Sequence, residues 1–250
     1  MKKLNLSLCV LFSIILLNSC SENSSPTNTE NQLEMADYFP HTQGSWWIFQ
    51  NYLIDPLGNS ILTDGTDSLF VWSESMIDGK EAISLISVSN YGGEITYDTS
   101  YYHIDGSKLY VYQDNFEDLD SKKWMLYIDL DANEWQIVKY EEHIDTVFID
   151  PMTEDSIVVK SDYIIDFNGI QNGSKNYIIS GNNVQTKGFK LSMKFESNWQ
   201  IGEEKEYDSK TYTFLIWLGK NVGFVNFIEE TDDPEIGKTE TKLIKYFIGQ

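Results

Sequence analysis

The chain has 250 residues, 41% hydrophobic and 14% aromatic, with 39 acidic side chains against 18 basic ones and a formal charge of −21. Every basic residue is a lysine; with this charge and without arginine's planar fork, a nucleic-acid partner is disfavoured, as is adsorption of the folded surface to anionic headgroups. Cys9 and Cys20 are the only cysteines and both precede the folded part, which leaves it neither a disulfide framework nor a cysteine metal site.

Taken in order, the chain opens with Lys2 and Lys3 and then an apolar run from Leu4 to Leu17. That length suits the core of a secretory signal. It is too short to cross a bilayer core about 30 Å thick, which takes about 20 residues. The run ends in Leu17-Asn18-Ser19-Cys20. This resembles a bacterial lipobox, with Leu17 at −3, the small Ser19 at −1 and then the cysteine. The resemblance implies cleavage before Cys20, lipid on its thiol and acylation of the new N-terminus. A thiolate is the natural nucleophile for such a thioether. Cys9 lacks this setting, because it follows Leu8 inside the apolar run. Loss of residues 1–19 would remove Lys2 and Lys3 and bring the charge to −23. Ser21 stands where an aspartate would resemble an inner-membrane retention signal, so the expected location is the outer membrane, with the bilayer as partner through Cys20. Residues 20–37 read as the lipidated cysteine and a tether rich in Ser, Asn, Thr and Glu, reaching about 20–24 Å by random-coil scaling.

Residues 38–250 read as a single β domain. Short runs rich in Ile, Val, Tyr, Phe and Trp follow one another, from Trp46–Leu53 to Thr241–Ile248, with almost no helical periodicity. Glu134–Tyr140 and His143–Ile149 are read as separate strands, as are Ser156–Phe167 and Asn176–Ser180. Asp78-Gly79, Asp105-Gly106 and Asn172-Gly173 are candidate hairpin turns, since these pairs tolerate positive φ. Alternation turns Trp47 inward and Trp46 outward. In Leu109-Tyr110-Val111-Tyr112 it puts the aliphatics on one face and the tyrosines on the other. It gives Trp124, Leu126 and Ile128 one face, and Met125 and Tyr127 the opposite one. Apolar residues on both faces imply a second layer or an enclosed cavity. The expected fold is all-β: an antiparallel curved sheet, a barrel or a sandwich.

Tyr38-Phe39-Pro40, Gly44, Trp47 and Phe49 near one end, and Val222-Gly223-Phe224-Val225 near the other, are similar to motifs of a group of uncharacterised bacterial outer-membrane lipoproteins. The resemblance implies a lipocalin-like or lipoprotein-carrier-like fold. It brings no catalytic residues, and the middle of the chain takes no part in it.

Candidate chemistry is sparse. His103-Ile104-Asp105 and His143-Ile144-Asp145 each put a histidine and a carboxylate on one strand face, a pairing that suits zinc or a general base with its orienting acid. Against this, Asp105 belongs to a predicted turn and Asp145 to an ordinary polar face. Asp129-x-Asp131-x-Asn133 opens like a calcium loop, but Glu134 and Tyr140 occupy the positions that need glycine and glutamate. Asp114, Glu117, Asp118 and Asp120 offer at most weak calcium binding. Trp46, Trp72, Trp135 and Tyr101 or Tyr102 are candidates for a platform that stacks on a glycan or an apolar ligand. No nucleophile elbow, zinc-protease motif or phosphate loop is present, so no catalytic residue, metal or cofactor is assigned. The expectation is a membrane-anchored lipoprotein with a non-enzymatic binding or structural role. The alternative is a hydrolase acting on polymers such as glycans. An apolar cavity would favour the first; buried carboxylates or His–Asp pairs in a cleft would favour the second.

Overall fold

The computed structural model describes residues 33–113, 124–149, 156–202, 204–232 and 237–249. Cys20 and the acidic run from Asp114 to Asp120 lie outside the described residues. Leu33–Gln250 form one unit. Its described residues make twelve strands: β1 (Trp46–Ile54), β2 (Ser60–Ile77), β3 (Lys80–Tyr91), β4 (Glu94–Asp105), β5 (Lys108–Tyr112), β6 (Trp124–Asp129), β7 (Glu134–Ile149), β8 (Ser156–Ile179), β9 (Asn182–Ile201), β10 (Glu204–Gly219), β11 (Gly223–Thr231) and β12 (Lys238–Phe247). The all-β antiparallel expectation holds.

The sheet order is β6-β5-β4-β3-β2-β1-β12-β11-β10-β9-β8-β7. Each strand pairs with its neighbour in the chain, except that β6 and β7 do not pair and β1 pairs with β12. The result is a meander curled into a nearly closed barrel, and among the described residues its seam lies between β6 and β7. The seam is pinned at one end. Asp129 Oδ1 accepts the Asp131 and Ala132 amides at 2.9 and 3.2 Å and so shapes the β6–β7 loop. Gln171 of β8 donates Nε2 to the Leu130 and Ala132 carbonyls at 2.9 and 3.0 Å.

Several sequence expectations change. Glu134–Tyr140 and His143–Ile149 are one strand, β7, and Ser156–Phe167 and Asn176–Ser180 are both parts of β8. Asn172-Gly173 is not a hairpin turn. It is a bulge inside β8, where pairing with β9 shifts between Gln171 and Ser174 and Gly173 takes φ +74°. A bulge and a tight turn ask the same backbone freedom of a glycine, so the dipeptide alone does not distinguish them. The faces of β6 also differ. Pairing with β5 slips between Leu109 and Tyr110, so Met125 and Ile128 are both buried, although strict alternation sets them on opposite sides. Met35, in a segment that reads as tether, is wholly buried.

Curvature is helped by close ring–backbone contacts. A Cβ on Gly65, Gly169 or Gly188 would lie 2.5, 2.2 or 2.3 Å from the rings of Tyr91, Trp135 and Trp217 respectively. Each ring occupies the space a side chain would take, a device that bends strands without leaving a void.

Candidate functional site

One end of the barrel is sealed by the segment that leads into β1. A short 3-10 turn, Met35–Asp37, is tied down by the Met35 amide to the Gly106 carbonyl at 2.9 Å and by Asp37 to Lys220 at 3.1 Å. It delivers Phe39 between Tyr102 and Phe224, at ring-centroid distances of 5.0 and 5.6 Å. Trp47 stands beside it and donates its indole N–H to the Val222 carbonyl. Gly223, at φ +90°, would place a Cβ 3.2 Å from Pro40 and 3.3 Å from Trp47. Only glycine suits both the conformation and the contact. The two distant motifs noted in the sequence therefore meet here, as the floor of the barrel.

Above this floor lies a cavity of about 420 Å³. Its wall carries Phe49, Leu69, Leu85, Tyr102, Tyr127 and Phe227; Ser87, Ser89, Thr239 and Glu229 also line it, and half-exposed Tyr91 marks its mouth. Burial raises the phenols of Tyr102, to about 12, and of Tyr127, so both stay neutral and act as aromatic wall. A second cavity of about 280 Å³ shares Tyr127 and Phe227 with the first. It is faced by Met125, Ile165, Phe167, Met193 and Phe214 and lies against the β6–β7 seam.

A polar chain runs along one side of the larger cavity. Asn51 is buried on β1. Thr241 Oγ1 donates to its Oδ1 at 2.8 Å, and its Nδ2 donates to Asp67 Oδ2 at 2.8 Å. Thr63 Oγ1 donates to the Asn51 carbonyl at 2.9 Å. Asp67 lines the cavity, and its other oxygen, Oδ1, is buried without a hydrogen-bond partner among the described residues. Sequence reading missed Asn51, Asp67 and Thr241. The available signal was Asn51 continuing the inward row of Trp47 and Phe49, a polar residue at a core register.

The residues singled out for chemistry do not converge. His103 Nδ1 meets the Glu81 carbonyl at 2.8 Å, and Asp105 sits at the β4–β5 turn. His143 pairs across strands with Asp162, and Asp145 with Lys160 at 3.0 Å, all on exposed side chains. Among the described residues no group of three His, Cys, Asp or Glu side chains is placed to hold a metal ion. Asp129 is consumed by its loop. The aromatic platform is corrected as well. Trp135 is buried against Phe189, Tyr102 faces the cavity, Trp46 stacks on Phe247 at 6.3 Å, and Trp72 is exposed. Tyr101 instead joins Tyr112, Trp124, His103 and Tyr110 in a chain of ring contacts 5.2–6.4 Å apart, with Lys80 4.5 Å from the Tyr110 ring.

No family model and no curated protein matches the chain. Among solved structures it is similar to a candidate lipoprotein from Parabacteroides distasonis ATCC 8503, with a TM-score of 0.47 and 16% identity over 84% of this chain and 98% of that one. It is also similar to a candidate exported protein with a YmcC-like fold from Bacteroides fragilis NCTC 9343, with a TM-score of 0.43 and 11% identity over the same shares of the two chains.

Proposed function

We propose that this protein is an outer-membrane lipoprotein, anchored through acylated Cys20, that holds a small ligand inside its β barrel without transforming it. The observation that carries the binding role is the cavity of about 420 Å³, whose lining residues Tyr102 and Phe224 pack on Phe39 and which half-exposed Tyr91 also lines. Its size and its mix of aromatic wall with a few convergent polar groups are those of small-molecule sites. The anchor rests on the Leu17-Asn18-Ser19-Cys20 sequence. A hydrolase is the weaker reading. The buried carboxylates Asp129 and Glu240 are both engaged in structural hydrogen bonds. The cavity carboxylate Asp67 is held by Asn51, with no histidine lining the cavity among the described residues, and the exposed His143–Asp162 pair sits on an open strand face.

Two measurements test this. Mass spectrometry of the mature N-terminus should find acylated Cys20; an unmodified cysteine ends the lipoprotein reading. For the cavity, the neutral fluorescent probe N-phenyl-1-naphthylamine should bind the soluble domain and lose affinity in Ser87→Leu, which fills the cavity from β3. Undiminished binding in a folded Ser87→Leu protein would place the probe elsewhere and end the cavity reading.

A further inference from the structure

We propose, resting on the cavity reading above, that the site selects ligands bearing a hydrogen-bond-donating cationic or hydroxyl head on an apolar body, a primary amine foremost, and rejects carboxylates and phosphates. The head would be received by Asp67 Oδ1.

Three observations carry this. The first is the orphaned oxygen. Buried polar atoms nearly always have partners, and a carboxylate left with a bare buried oxygen is costly. Asp67 Oδ1 is such an atom, on a residue that lines the cavity. The second is that the carboxylate is held from one side, with its bare oxygen left unpaired. Asn51 already spends Nδ2 on Asp67 Oδ2, and its Oδ1 is taken by Thr241. The amide is therefore locked and holds the carboxylate in one orientation. A site built this way is preorganised, because the oxygen that would meet the ligand is fixed before the ligand arrives. The third is charge. Among the described residues, Asp67 and Glu229 are the carboxylates that line this cavity, and no lysine lines it. The chain as a whole carries −21 and no arginine, so long-range attraction favours cations and opposes anions.

The body of the ligand follows from the rest of the wall. Phe49, Leu69, Leu85 and Phe227 offer apolar and ring surface, and neutral Tyr102 adds to it. The cavity volume of about 420 Å³ sets the scale of a single short amphiphile or a ring system.

The test is displacement of bound N-phenyl-1-naphthylamine from the soluble domain at pH 7.5 by four probes that share a ten-carbon chain: decylamine, decanol, decyltrimethylammonium and decanoate. Decylamine should displace best and decanol next. Decyltrimethylammonium, which has charge but no N–H, should be weaker than the amine, and decanoate weakest by a factor of roughly 30 or more. Asp67→Asn should cut the amine's advantage over decanol about tenfold, the scale of one hydrogen bond to a charged group. The ranking on the unaltered protein stands as a test even where the variant folds poorly. Decanoate equal to or better than decylamine overturns the inference and leaves the cavity reading intact, as does an unchanged ranking in folded Asp67→Asn. Failure of the naphthylamine and of every decyl probe to bind overturns the cavity reading and this inference together.

Discussion

The indole of Trp47 touches Gly223 and donates to Val222, while Trp46, one residue earlier, lies on the opposite face against Phe247 and 5.6 Å from the Lys245 ammonium. Trp47→Ala removes a buried ring and its hydrogen bond, and should cost about 3–5 kcal/mol in denaturant melts. Trp46→Ala, at a half-exposed site, should cost less than about 1.5 kcal/mol. Equal losses would show that both faces are equally buried. Gly188→Ala asks a different question. Its Cβ would fall 2.3 Å from the Trp217 ring, and overpacking of this kind should cost about 1–3 kcal/mol. Glu240 gives a pH test. Burial works to raise its pKa, but hydrogen bonds from Lys242, Asn226 and Ser60 and the charge of Lys242 outweigh it, leaving the folded value below the ordinary 4.5. The unfolded chain therefore takes up this proton at higher pH than the folded one. The stabilisation is full above about 4.5 and is lost as pH falls through the lower folded value. Glu240→Gln should destabilise by about 2 kcal/mol at pH 7 and by progressively less as the buffer is acidified into that range. A constant difference from pH 7 to pH 3 would mean the charge is irrelevant and only shape matters.

At the scale of elements, strand type was legible, as were the turns at Asp78-Gly79 and Asp105-Gly106, but the continuity of the long strands β7 and β8 was not. Alternation of Trp47, Phe49 and Asn51, and of Leu109 and Val111, names the inward face correctly. It fails at β6 because one slipped pair opposite Tyr110 reverses every face beyond it. Asn172-Gly173 reads as a turn because nothing local says that β8 continues. The continuation is set by pairing with β9, which resumes at Ser174 and Lys187. Asp129-x-Asp131-x-Asn133 opens like a calcium loop but lacks the glycine and glutamate that such a loop needs, and the structure gives Asp129 the task of capping its own loop. A cavity was one of the two alternatives that the two-faced strands allow, but its polar chain lay out of reach because it joins β1, β2 and β12, with Asn51 and Thr241 separated by 190 positions. The β6–β7 seam supplies the test at this scale. Its closed end depends on Gln171, so Gln171→Ala should leave two carbonyls unpaired and cost about 1–3 kcal/mol. Hydrogen exchange should then quicken in β6 and in the Leu130–Asn133 loop, with the β1–β12 ladder unaffected. Uniform acceleration across all strands would mean that the seam does not open locally and that the barrel yields only as a whole.

For the whole molecule, joining β1 to β12 makes the barrel a late product of the chain, because its central ladder waits for the last strand and demands long-range contacts. The same chain must hold 39 carboxyl side chains against 18 lysines. The lysine ion pairs it forms, such as Lys139–Glu141 at 2.9 Å and Lys160–Asp145 at 3.0 Å, are largely exposed and so contribute little each. The surplus carboxylates repel one another over distances that salt shortens. Thermal stability should therefore rise by several degrees between low salt and about 0.3 M, within the range where the screening length falls below about 10 Å. Sodium and potassium should act alike, since screening depends on charge and concentration alone. Calcium separates this from a specific site. An ion bound only by the folded state stabilises by mass action and saturates, whereas screening follows ionic strength. None of the described acidic residues forms a group able to hold a metal ion, and Asp129 is engaged by its own loop. Melts in millimolar calcium should therefore match sodium at equal ionic strength with chelator present. A calcium-only rise of several degrees would overturn the screening account and direct attention to Asp114, Glu117, Asp118 and Asp120, where Asp114→Asn with Asp118→Asn should then abolish it.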